Sequence, residues 1–118
     1  MDAEYAAAPG PGTYTAISTP AHSFVYHWVD GVTNHLNLAG TTSNDVTSVD
    51  LICVYLQPTG NPFVSTLAAN VPVTSGSFGK TVTIPRLLAN CRLRAVPSGD
   101  PMTGYLGAYA GPIMYMYG

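Results

Sequence analysis

The chain has 118 residues, 47% of them hydrophobic and only 8% charged, with six acidic and four basic side chains and a formal net charge of −2. An average soluble domain carries about 25% charged residues, so this balance argues against a basic nucleic-acid surface and against a polybasic patch for anionic lipid. Surface polarity must come from Thr, Ser, Asn, Gly and Tyr, and a surface of that kind opposes self-association only weakly.

The length suits one domain with a real core. No apolar run approaches the ~20 residues of a transmembrane helix. Met1-Asp2-Ala3-Glu4 lacks the basic start and apolar stretch of a secretory leader, so a secreted form is expected to have lost its leader. Two cysteines, Cys53 and Cys91, in a β-rich chain of low charge point to a disulfide and an oxidising compartment; buried free thiols are the alternative.

Residues 1–20 hold Ala-Ala-Ala-Pro-Gly-Pro-Gly and a Thr/Ser/Pro cluster, which breaks helices and favours an extended segment. Tyr14 and Ile17 could add an edge strand. Residues 21–118 read as one β domain. Ser23 to Val29 is aromatic and β-branched, with Phe24, Tyr26 and Trp28 on one face and Val25, His27 and Val29 on the other. Asp30-Gly31 is a turn signal. His35 to Ala39 alternates, so Leu36 and Leu38 point inward, and Gly40 to Asp45 reads as a turn.

Val46 to Leu56 is the longest β-rich run. Val49, Leu51, Cys53 and Tyr55 share one face; Asp50, Ile52, Val54 and Leu56 share the other. Both faces are largely apolar, as in a strand covered on both sides. Phe63 to Ala69 reads as a short strand, and Val71 to Thr74 as another, with Pro72 marking an edge. Ser75-Gly76-Ser77 turns into Phe78 to Ile84. Arg86 to Asn90 could form one helical turn. Cys91, Leu93 and Ala95 face inward while Arg92 and Arg94 face out. Tyr105 to Tyr117 could supply one or two strands. The total is seven to eight short strands with regularly spaced turns and no long helix, the pattern of an all-β sandwich.

Residues 35–97 resemble a bacterial immunoglobulin-like domain of secreted and cell-surface proteins. The residues carrying the resemblance are Leu36-Asn37-Leu38-Ala39-Gly40-Thr41-Thr42, Val49-Asp50-Leu51-Ile52-Cys53 and Leu67-Ala68-Ala69-Asn70-Val71-Pro72-Val73. They continue in Gly76-Ser77-Phe78-Gly79-Lys80-Thr81-Val82-Thr83-Ile84-Pro85 and Cys91-Arg92-Leu93-Arg94-Ala95-Val96-Pro97. The aromatic strand before His35 and the Tyr-rich end depart from it. Trp28 precedes Cys53, so the antibody-type Cys…Trp…Cys order is absent. The resemblance implies an antiparallel, immunoglobulin-like β-sandwich and a non-catalytic module.

No chemical motif stands out beside this. His22, His27 and His35 match no zinc spacing, and neither a metal nor a cofactor is expected; a metal site would need Asp30 or Asp50 brought in by the fold. Ser75-Gly76-Ser77-Phe78-Gly79 reads as a hairpin turn, and its spacing does not make a nucleophile elbow. Asp45 and Asp100 read as turn residues. Asp50 reads as an exposed edge charge that discourages pairing, or as a partner of Arg92 or Arg94 across the sheet.

Trp28, Tyr105, Tyr109, Tyr115 and Tyr117 are the candidate contact residues, since aromatic rings with polar tips suit sugar faces and wet interfaces; filling strand positions is the plainer role. The expected function is therefore an extracellular structural or interaction module, self-assembling or adhesin-like, with other subunits or a cell-surface ligand as partners and a homo-oligomer as one form. The alternative is a carbohydrate-binding module of a larger secreted protein. No enzymatic activity is expected.

Overall fold

The computed structural model describes residues 14–21, 23–56, 62–84, 90–99 and 111–117. Regular structure among them is all β: β1 (Thr15–Thr19), β2 (Phe24–His27), β3 (His35–Thr42), β4 (Ser48–Leu56), β5 (Pro62–Pro72), β6 (Ser77–Thr83), β7 (Cys91–Pro97) and β8 (Ile113–Tyr117). They form a three-stranded sheet, β1-β3-β6, and a five-stranded sheet, β2-β8-β7-β4-β5. The two-sheet arrangement is compatible with a β-sandwich.

One pair departs from the antiparallel expectation: β2 runs parallel to β8, with Val25 opposite Tyr115 and His27 opposite Tyr117. Parallel neighbours cannot be joined by a hairpin, and here most of the chain lies between them. The division of the chain at residue 20 falls between β1 and β2. Thr15, Ala16 and Ile17 of β1 are buried. The Thr15 hydroxyl donates to the Ala95 carbonyl of β7, which ties one sheet to the other. Residues 1–13 and 57–61, the helical turn expected within residues 86–90 (Asn90 apart), Asp100 and most of the Tyr-rich stretch lie outside the described residues.

The core follows the alternation in the sequence. Leu36, Leu38, Phe78, Val82 and Ile84 from one sheet meet Val49, Leu51, Cys53, Leu93, Ala95 and Met114 from the other, all buried in one cluster. Ile52, Val54 and Val96, on the opposite face of the five-stranded sheet, are buried too, in a second cluster with Val64 beside them. β4 is thus apolar and covered on both faces, as its sequence implies. Each such aliphatic side chain contributes on the order of 1.5–3 kcal/mol by leaving water.

The structure corrects four readings. β7 is not a half-buried strand with its arginines in solvent. Arg94 is 1% exposed, and its Nη1 donates to the carbonyls of Leu93 and Gly111, each at 2.9 Å. A buried guanidinium needs such acceptors, and the face that carries Arg94 also buries Ile52, Val54 and Val96. Asp50 is not an edge charge, because β4 lies between β5 and β7. Its carboxylate accepts the Asn70 amide and the Ser98 hydroxyl, both at 2.9 Å.

The two short strands expected over Phe63 to Thr74 are one strand of 11 residues. Extra residues enter it as bulges, where the register shifts between Val49 and Leu51 and between Leu51 and Ile52. Asn70 takes a positive φ of 55° there, an angle that Asn tolerates better than most side chains. The turn expected at Gly40 begins later, since β3 continues to Thr42. Gly40 is needed inside that strand for closeness. A Cβ at this position would lie 2.0 Å from the Ala16 carbonyl oxygen and 2.6 Å from the Phe78 ring.

Cys53 in β4 and Cys91 in β7 are disulfide-bonded, with Cα atoms 5.5 Å apart and a sequence separation of 38. Closing a loop of that length stabilises the fold by about 3–4 kcal/mol in the chain-entropy account. The double variant Cys53→Ala/Cys91→Ala is therefore expected to lose about that much in urea unfolding. The variant Gly40→Ala is expected to lose about 1–3 kcal/mol by overpacking against Ala16 and Phe78, read by the same titration with an unchanged β circular-dichroism spectrum.

Candidate contact site

The place where the chain changes sheets builds a site that combines apolar and polar groups at the surface. β1 follows β3 antiparallel from Thr15 opposite Thr42 to Ile17 opposite Gly40, and then its register shifts before Thr19 meets Ala39. An extra residue of this kind bends a strand away from its partner. Pro20 follows with no N–H to continue the ladder, and the chain crosses to the other sheet as β2.

The first half of β3 is thereby left without a β1 partner. The hydrogen-bond phase of β3 can be read from its ends. Thr42 donates to Gly76 at 2.8 Å, and Ile84 donates to the Asn34 carbonyl at 3.0 Å, whereas Ser43 donates to Tyr14 at 3.0 Å. Even-numbered residues therefore bond toward β6 and odd-numbered ones toward β1. The register with β6 is unbroken from His35 opposite Thr83 to Thr41 opposite Ser77, so the phase holds throughout. The amide and carbonyl groups of His35 and Asn37 thus face the side that β1 has vacated.

A groove of about 440 Å³ opens there, lined by Pro20, Phe24, Tyr26, His35, Leu36 and Asn37 among others. Phe24 and Tyr26 are half-buried. Their ring centroids are 6.4 Å apart with planes at 62°, an edge-to-face pair. The lining contains no Asp, Glu, Lys or Arg. Its polar groups are neutral hydroxyls, the Asn37 amide, the His35 imidazole and peptide groups.

Asn34 fixes one end of the groove. It is buried, and its Oδ1 accepts from the Val29 amide at 3.1 Å and from the Tyr26 hydroxyl at 3.2 Å. Its Nδ2 donates to the carbonyls of Val29 at 2.9 Å and Val32 at 3.1 Å. One side chain thus holds the loop between β2 and β3 and orients a ring in the groove. Sequence reasoning missed it, since an Asn just after Asp30-Gly31 reads as another turn residue. Its only signal was its place directly before an alternating strand.

Of the contact residues expected from the sequence, the side chains of Trp28 and Tyr115 are described, and they lie apart. Trp28 is half-buried against the main core, and its indole N–H donates to Asp30 at 2.9 Å. Tyr115 projects from the opposite face of the five-stranded sheet, exposed beside Val25. Tyr117 enters only through its register with His27. Tyr105 and Tyr109 lie outside the described residues, as does His22. Among the described residues no three His, Cys, Asp or Glu groups lie together as a metal set. No family model, curated protein or solved structure matches the chain.

Removing the Asn34 side chain leaves several groups of one loop unpaired. Asn34→Ala is expected to cost about 1–3 kcal/mol and to speed hydrogen exchange at the Val29 amide, while exchange at Leu51 and Leu93 stays slow. Equal acceleration at all three sites would show that Asn34 acts on the whole fold rather than on this loop.

Proposed function

We propose that the chain is a non-catalytic extracellular module that works by contact, a self-associating or adhesin-like subunit built on an immunoglobulin-like sandwich. The strand order supports the finer fold reading. β8-β7-β4-β5 follows the G-F-C-C′ order of variable-type immunoglobulin sheets, and β1-β3-β6 follows A-B-E. In this reading β2 is the continuation of β1 after it changes sheets. The bridge differs: Cys53 and Cys91 join neighbouring strands of one sheet, whereas the antibody-type bridge crosses between sheets. A disulfide fits an oxidising compartment.

The observation that carries the contact reading is β5. It is an edge strand of 11 residues without one charged side chain. Edge strands that avoid pairing usually carry charges, and long uncharged ones accept another strand. Prolines at both ends and two bulges limit β5, and its regular part runs from Pro62 to Thr66. A mass rising with concentration above the 12.4 kDa of one chain is expected in sedimentation equilibrium. Thr66→Lys, at an exposed position in that regular stretch, is expected to return it to the single-chain value. A constant single-chain mass up to millimolar protein would sink self-association.

The exposed Tyr115 with Val25 beside it favours a second reading, binding of a glycan on the outer face. Binding on a glycan array that Tyr115→Ala abolishes would select it.

A further inference from the structure

We propose that the vacated side of β3 takes an added strand: an extended, uncharged peptide segment with the alternation polar–aliphatic–polar, its aliphatic side chain seated in the groove against Leu36, Phe24 and Tyr26. The inference rests on the contact reading and names a surface for it distinct from β5.

Three observations lead to this occupant. Two N–H and two C=O groups, those of His35 and Asn37, point into the space that β1 leaves, and among the described residues none of them has a backbone partner. Only an extended backbone matches that spacing of donors and acceptors, as in strand addition to a sheet edge. The second observation is the phase of the side chains. His35 and Asn37 are exposed, while Leu36 is buried. A guest in register therefore turns its residue opposite Leu36 inward, toward the half-buried rings of Phe24 and Tyr26, and its two flanking residues outward to solvent. The third is charge. With no Asp, Glu, Lys or Arg in the lining, a charged side chain at the inward position would lose water without gaining a partner, and none of those four offers an outward one an ion pair, so the groove matches a neutral segment. The chain's own Thr81-Val82-Thr83 has this pattern and lies against Leu36 from the other side, Val82 opposite it. That strand shows the kind of segment the free side accommodates.

The test uses the whole chain, ¹⁵N-labelled, titrated with the blocked peptide acetyl-Ser-Thr-Val-Thr-Val-Ser-amide. The largest amide shifts are expected at His35 and Asn37. An N-methylated version of the peptide, which cannot donate along the ladder, is expected to bind about tenfold more weakly or not at all. The version with Asp in place of each Val is expected not to bind. Asn37→Pro, which removes a donor facing the vacated side together with the side-chain oxygen that accepts from the Thr81 hydroxyl at 2.6 Å, is expected to weaken the parent peptide about tenfold as well.

The N-methyl comparison holds even if that variant fails to fold. Shifts centred on Val64 to Thr66, or equal binding of the N-methylated peptide, would overturn the proposal. So would no binding at all. A null result with a mass that still rises with concentration removes the β3 site alone, and a null result with a constant mass removes self-association with it.

Discussion

The register of β4 is the constraint on which the five-stranded sheet depends. Register is usually policed by the difference between a sheet's two faces, because a slip of one residue exposes the core side. β4 has little of that protection, since Val49, Leu51 and Cys53 on one face and Ile52 and Val54 on the other are all buried and almost all apolar. Two specific features supply what the pattern lacks. The disulfide fixes Cys53 against Cys91 in β7. Asp50, the polar position in the run, holds the Asn70 amide of β5 on one side and the Ser98 hydroxyl just past β7 on the other. A slipped β4 would break the covalent link and leave a half-buried carboxylate without its donors. The charge that looked like an edge device in the sequence is better understood as a register pin.

What could be read in the sequence was whatever depends on local alternation. Leu36 and Leu38, Val82 and Ile84, and Leu93 and Ala95 are buried as their period of two requires. What could not be read depends on neighbours distant in the chain. Arg94 looked exposed because charged residues alternating with apolar ones normally mark a solvent face. Its acceptors, one of them the Gly111 carbonyl, appear only once β8 is brought alongside β7. The parallel pairing of β2 with β8 is likewise invisible locally, because nothing in Phe24 to His27 encodes the direction of a partner some ninety residues away. The length of β5 was hidden by bulges, whose extra residues break the alternation that would have joined its two halves.

The candidate site was legible in its parts and not in its assembly. Phe24, Tyr26 and Trp28 were assigned one face, and the structure keeps them on it. The grouping of Trp28 with the C-terminal tyrosines failed at Tyr115 because β8 alternates. Met114 and Met116 pack with the main core, while Tyr115 turns away from it. Period-two geometry decides this once the strand is known, but the Tyr and Gly density of the segment obscured which of its residues form the strand.

The groove follows from how the two sheets share one stretch of chain. Residues 15–27 serve both: β1 extends the smaller sheet, and β2 closes the side of the larger one. A straight continuation of β1 would have paired with His35 and Asn37 and left the rings of Phe24 and Tyr26 with no route to the core. The bulge before Thr19 and the missing donor of Pro20 turn the chain the other way, so the core gains two aromatic side chains and β3 loses part of its ladder. Peptide groups at the surface can bond to water, so the loss is small in isolation. It becomes an affinity for another strand only where water is excluded on both sides of the new ladder. The half-buried rings, a lining without Asp, Glu, Lys or Arg, and Leu36 beneath them supply that condition on one side of β3, and a guest's own inward side chain would supply it on the other.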